Sequence, residues 1–190
     1  MTSVHDIVVG RLAEFFSKPV LQNSLRSMYV EEQVGVLLGD RWRSVGGDWA
    51  GWDFEDVDGV RLEVKQSAAT QSWAQATPSP GSFDIKARQG RYDGATWVPE
   101  VGRAADIYVL AWHGGWGHTA DQHDEMQWEY YVISADRLPP QKTIALSVVR
   151  KLGPSVAADE LVSAADALAA EPRKPRVARA VYREGPLAPA

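Results

Sequence analysis

Along this chain apolar residues fall first at helical spacing and then at strand spacing. Val4, Val8, Leu12 and Phe15 or Phe16 share one helical face, which predicts a helix over 4–16, capped by Ser3 and stopped at Lys18-Pro19. A second helix is predicted over 23–38, with Gly39 just past its end. Its apolar residues, among them Leu25, Met28, Val30, Val34 and Val36, surround the axis, so it reads as buried all round. A short strand over 41–45 leads through Gly46-Gly47 into a hairpin. The hairpin's arms are Trp52-Asp53-Phe54 and residues 60–64, joined through Asp56-Val57-Asp58-Gly59.

Beyond the hairpin, residues 67–80 are small and polar and read as a loop. Residues 82–88 alternate Phe83, Ile85 and Ala87 against Asp84, Lys86 and Arg88, a half-buried strand with one charged face. Residues 89–102 read as a loop carrying Arg91, Tyr92 and Trp97. The run ADIYVLAW over 105–112 is almost wholly apolar and predicts a central strand buried on both faces. A glycine-rich loop follows, with His113, His118 and His123 at intervals of five. That spacing fits no zinc-binding helix pattern. Residues 127–134 and 141–147 read as strands, and 147–152 and 158–169 as helices. The order predicts an α/β fold, a mixed central sheet flanked by helices, in one domain over 1–170.

Alternation along the second hairpin arm puts Leu62 and Val64 on one face and Arg61, Glu63 and Lys65 on the other. Asp53 arrives from the first arm. Two carboxylates beside an ammonium suit a hard divalent cation held by oxygen. This stretch resembles the core of the PD-(D/E)XK nuclease superfamily, the restriction-endonuclease-like fold, whose pattern is an acid on one strand and acid-any-Lys on the next. Asp53, Glu63 and Lys65 match it, with Val64 between the last two; Trp52 stands where the naming proline would be, a position that varies within the superfamily. The longer strings EVKQSAATQSW, QWEYYV and QKTIALS are similar to a bacterial branch of that superfamily, over the chain to about Leu168, and carry no substrate with them.

The resemblance implies a Mg²⁺-dependent deoxyribonuclease, with Mn²⁺ as substitute. Asp53, Glu63 and the Val64 carbonyl would be metal ligands and Lys65 would attend the attacking water. The family often adds an acid on the preceding helix, matched by Glu31. Gln66 would orient water or phosphate. Lys86, Arg88, Arg91 and Arg103 would meet the DNA backbone, with Gln71 and Trp73 as loop contacts. The resemblance is compatible with a homodimer. Two other readings stay open: a nucleic-acid- or protein-binding module that keeps the fold without catalysis, and a metal-free protein in which Asp53, Glu63 and Lys65 form a surface ion-pair cluster.

Composition narrows this picture. There is no cysteine, hence no disulfide framework, zinc–thiolate site or cysteine nucleophile. No P-loop, G-x-S-x-G, H-E-x-x-H or Rossmann glycine pattern occurs. The first residues carry charge and no long apolar core, so neither a signal peptide nor a membrane span is read there, and a cytoplasmic location is expected. Net charge is −5, but the proline-rich segment over 171–190 is basic at +3, leaving −8 on the rest. An acidic body argues against indiscriminate coating of nucleic acid.

Overall fold

Leu62 and Val64 decide which way the central sheet faces. The computed structural model describes residues 2–45, 50–93 and 95–172. Within them the hairpin arms become β2 (Phe54–Asp56) and β3 (Arg61–Ala68), and Leu62 and Val64 pack against Val30, Val34 and Leu38 of the second helix, α2 (Asn23–Leu38). That helix follows α1 (Val4–Phe15). Its inward face is one stripe, Arg26, Val30, Val34 and Leu38, four residues apart and all buried. The all-round burial read from the sequence is corrected here: Met28 and Val36 are exposed, because only one side of α2 meets the sheet. Gly35 lets α2 approach closely, since a Cβ there would meet the Phe54 ring at 2.8 Å. α2 ends at Gly39, whose positive φ of 70° suits glycine.

The central sheet is mixed, in the order β1-β2-β3-β7-β8, with β1 (Trp42–Ser44), β7 (Ile107–His113) and β8 (Trp128–Ser134). Only β3 and β7 run parallel, registered Glu63 to Tyr108 and Lys65 to Leu110; the other neighbours are antiparallel. Every residue of β7 is buried, as the apolar run predicts, because helices cover one face and a second layer covers the other. The helical layer is α2 with α4 (Leu161–Ala169). The opposite layer pairs β4 (Ser82–Asp84) with β9 (Thr143–Ala145) and adds α3 (Leu146–Leu152).

Two further readings change. Residues 82–88 do not form one strand: β4 stops at Asp84, and Arg88 opens another. Residues 89–102, read as a loop, belong to an antiparallel ribbon of β5 (Arg88–Asp93) and β6 (Thr96–Gly102). α1 forms as read yet buries none of its residues. The turn at Gly46-Gly47, and the basic segment beyond Pro172, lie outside the described residues. Among the described residues no helix is long and apolar enough to cross a membrane.

Candidate active site

β2 pairs with β3 only through Phe54 and Glu55. Beyond Phe54 the edge of β3 is taken up by Asp53, whose backbone N–H donates to the Leu62 carbonyl at 2.9 Å. Its carboxylate accepts from the Val64 N–H at 2.6 Å. The N–H and C=O of one strand residue leave on the same edge, so the Val64 carbonyl opens beside Asp53. One residue to either side, Glu63 and Lys65 project from the face that Tyr108 and Leu110 share, and Lys65 donates to the Glu63 carboxylate. Glu31, on the turn of α2 after Val30, lies near enough to feel the charges of Asp53 and Lys65.

Burial governs the electrostatics of this group. It pushes Glu63 up to about 7, against the pull of Lys65 and with a further push from Asp53. Glu31 also rises to about 7, through burial first and then the charges of Asp53 and Glu32, while Lys65 pulls it down. Asp53 is raised by burial despite Lys65 and the Val64 N–H. Burial alone would lower Lys65, but Glu63 and Asp53 outweigh it and hold the ammonium above its ordinary value. Asp53 and Lys65 thus stand within electrostatic reach of both Glu63 and Glu31, three acids around one base.

Such a set is short of positive charge, and hard oxygen donors of this kind fit Mg²⁺ or Mn²⁺. Two carboxylates and the Val64 carbonyl supply the donor chemistry. Among the described residues, no three acidic or histidine side chains are drawn together tightly enough to hold an ion by themselves. Glu63 is engaged by Lys65 instead, and ion binding would require it to exchange that partner.

In front of Glu63 and Lys65 opens a cavity of about 390 Å³, with Lys86, Arg88, Arg91 and Arg103 in its walls. The four cations read from the sequence as backbone contacts therefore gather at the acid–lysine pair. Their availability differs. Arg103 donates to the carbonyls of Ile85, Leu138 and Pro139 at 2.8, 3.2 and 2.5 Å, tying the layers together. Arg91 pairs with Glu100 at 3.2 Å and lies over Trp52, whose ring also carries Arg61 at 3.6 Å. Arg88 pairs with Asp84 at 3.2 Å on an exposed surface, and Lys86 is exposed. A larger cavity, about 570 Å³, opens at the start of β7 beside Ser134 and Lys142. Its lining also mixes acids and bases, Asp106, Asp136 and Glu171 with Lys86, Arg103 and Lys142, and its Asp106 already accepts from the Arg61 backbone N–H at 2.8 Å.

Gln66 and Gln71 are placed elsewhere. Alternation turns Gln66 to the α2 face of β3, away from Lys65, where it accepts from Arg26 Nε at 2.7 Å. Gln71 accepts from Arg26 Nη2 at 3.1 Å. Trp73 stands 60% exposed on its loop. The histidines disperse. His113 ends β7 fully buried, edge-on to Trp128, and burial lowers its pKa. His118 is exposed, and His123 bonds Asp121 at 3.2 Å and meets Tyr29 edge-on. Sequence reasoning missed Trp52 as a platform for two guanidinium groups, and missed Arg26. The signal for Arg26 was present, since it stands four residues before Val30 on the apolar stripe. No family model, curated protein or solved structure matches the chain.

Proposed function

We propose that this protein is a metal-dependent nuclease that hydrolyses DNA phosphodiester bonds on a restriction-endonuclease-like scaffold. The observation that carries the reading is the grouping of Asp53 with Glu63 and Lys65, with Glu31 near Asp53 and Lys65, beside a cation-lined cavity that Glu63 and Lys65 border. Asp53, Glu63, the Val64 carbonyl and Glu31 would hold Mg²⁺ or Mn²⁺. When bound, the ion supplies Lewis-acid polarisation of a phosphate oxygen and eases deprotonation of water. The chain's own groups do the rest. Glu31 would help hold the attacking water in place, and the water's proton passes to solvent. The Lys65 ammonium offsets the charge that grows on the phosphate oxygens as the water oxygen bonds to phosphorus and the ester oxygen departs. Arg88 and Lys86 are the cations best exposed to position the strand.

One observation favours the second reading, a non-catalytic DNA- or protein-binding module: the Glu63–Lys65 ion pair closes the site on itself. Plasmid, single-stranded and branched DNA incubated with Mg²⁺, Mn²⁺ or Ca²⁺ separates the two. Cutting is expected with Mg²⁺ and Mn²⁺ but not with Ca²⁺, whose larger, looser shell places water poorly. No cutting of any nucleic acid under any of these metals, with Mn²⁺ leaving thermal stability unchanged, assigns the binding module.

A further inference from the structure

On the other face of β3, Arg26 raises the opposite problem. Its side chain is 2% exposed, yet it is fixed only by neutral groups: Gln66 on Nε at 2.7 Å, and Asn23 and Gln71 on Nη2 at 2.9 and 3.1 Å. Nη1 is buried and has no hydrogen-bond partner. Among the described residues no carboxylate pairs with this guanidinium, and burial is the only influence on its pKa, which it lowers to about 10. The group is therefore still charged at neutral pH. A buried, uncompensated charge is costly, and proteins seldom retain one without a counter-ion.

A second feature of the same sign adjoins it. Arg26 lies in the first turns of α2, and its side chain leans back toward the helix start, where it reaches Asn23. The residue before the helix, Gln22, offers no side-chain cap, and the first turn carries no acid. The positive end of the helix dipole and its free N–H groups are thus unanswered by the usual side chains. Around the guanidinium stand three carboxamides. Each presents oxygen now, and each becomes a donor if its amide turns. Asn23 is exposed and Gln66 and Gln71 are half-buried; Gln66 also donates to Asn23 Oδ1 at 3.2 Å and Gln71 to the Ala68 carbonyl at 2.7 Å, so the cover over Arg26 is a linked set of side-chain ends that an anion would have to displace.

We propose that Arg26, with Asn23, Gln66, Gln71 and the start of α2, is a phosphate-binding site. The carboxamide oxygens occupy the places that phosphate oxygens would take on the guanidinium fork, a geometry that suits tetrahedral oxyanions. The phosphate is assigned to a nucleic-acid strand, and that source rests on the nuclease reading above. The anion chemistry does not.

Thermal melts of the full chain in sodium phosphate and in sodium chloride of matched ionic strength test the site. Phosphate is expected to raise the wild-type melting temperature by several degrees. Arg26→Gln is expected to erase that gain and to melt higher than wild type in chloride, because it deletes an unanswered charge. A purely structural arginine gives the reverse, a variant less stable in both salts and a wild type indifferent to phosphate, and that result overturns the proposal. If Arg26→Gln does not fold, the wild-type Arg26 Nε–H resonance decides: it moves on phosphate titration if the site exists and stays fixed if it does not. For the source, a single-stranded oligonucleotide is compared with its uncharged methylphosphonate counterpart. The charged strand alone should shift the resonance, with affinity about tenfold weaker in Arg26→Gln. A strand that leaves the resonance unmoved while inorganic phosphate shifts it overturns the strand assignment. Asp53→Ala should keep the phosphate response, so failure of the nuclease reading and failure of this site are separable.

Discussion

The two faces of β3 carry charge problems of opposite sign. On the Tyr108 side and around the adjoining edge, three half-buried acids gather near one ammonium; on the α2 side, one buried guanidinium is met by three amides. Neither arrangement lowers its own free energy well, since buried charge is stabilised by a close opposite charge and not by its like or by neutral dipoles. Had both sets lain on one face, Arg26 would have neutralised Glu63 or Asp53. Instead the strand's alternation keeps them apart. On the two proposals above, an acid excess and a base excess on two sides of a single strand would each be relieved by a ligand of opposite sign, a cation for one and an oxyanion for the other.

The sharpest way to break this comparison is to remove one charge from the acid side. Lys65→Ala is expected to lower DNA cleavage by about a hundred- to a thousandfold, the size of losing one charge-stabilising group in a transition state. Stabilisation by Mn²⁺ should survive in that variant, because lysine is no ligand. Asp53→Ala should lose both cleavage and the Mn²⁺ effect. Retained cleavage in either variant would remove the acid side from the chemistry.

A smaller effect lies in pH dependence. Glu31 and Glu63 bind their protons more tightly folded than unfolded, from 4.5 up to about 7. Their stabilising contribution is complete below about 4.5 and is lost as pH rises through about 7. Metal-free protein should therefore melt a few degrees higher at pH 6.5 than at pH 8, the two acids together outweighing the smaller opposing contribution of the single buried His113, whose pKa is lowered from 6.5. Saturating Mn²⁺ should flatten that slope by favouring the ionised acids. Glu31→Gln should reduce it and raise the melting temperature at pH 8, with a milder loss of cleavage than Asp53→Ala. Melts that fall steadily from pH 8 to 6.5 would show that these acids are not the strained groups.

Smallest of all should be Gln66→Ala. It stands next to Lys65 in the chain but on the other face, so the cleavage rate at saturating DNA is expected to change by less than about threefold, any loss falling on strand affinity, while stability drops by about 1 kcal/mol, the loss of one hydrogen bond to a buried partner. Single-turnover rates and urea melts measure the two. A loss of cleavage as deep as that of Lys65→Ala would mean that the two faces work as one site.

Much of this was legible in the sequence where burial imposes a period. β7 reads as a central strand because both faces are covered, and β3 because one is. The convergence of Asp53, Glu63 and Lys65 follows from that alternation plus the hairpin. The β5–β6 ribbon escaped because it buries little: β6 shows no buried position, so its pairing leaves no apolar signature. α2 was over-buried in the reading because Met28 and Val36 are apolar yet exposed, and hydrophobicity alone does not say which side meets the sheet. Arg26 escaped although its place four residues before Val30 set it on the apolar stripe, because an arginine in a helix is ordinarily solvated and its partners Gln66 and Gln71 lie far along the chain.

The parallel pairing of β3 with β7 has a consequence for how the molecule comes into being. Arg61 and Asp106 are neighbours in space but 45 positions apart in the chain, and no local turn can bring two parallel strands together. Closing so long a loop must precede any reward from the contact, which makes this pairing a slow step in folding. A nascent chain that has emerged through Gly102 already holds Asp53, Glu63 and Lys65, yet lacks the strand against which Glu63 and Lys65 are registered. Asp53, Glu63 and Lys65 are made early and brought into register late, so a partly synthesised chain carries these residues before the strand that positions two of them exists.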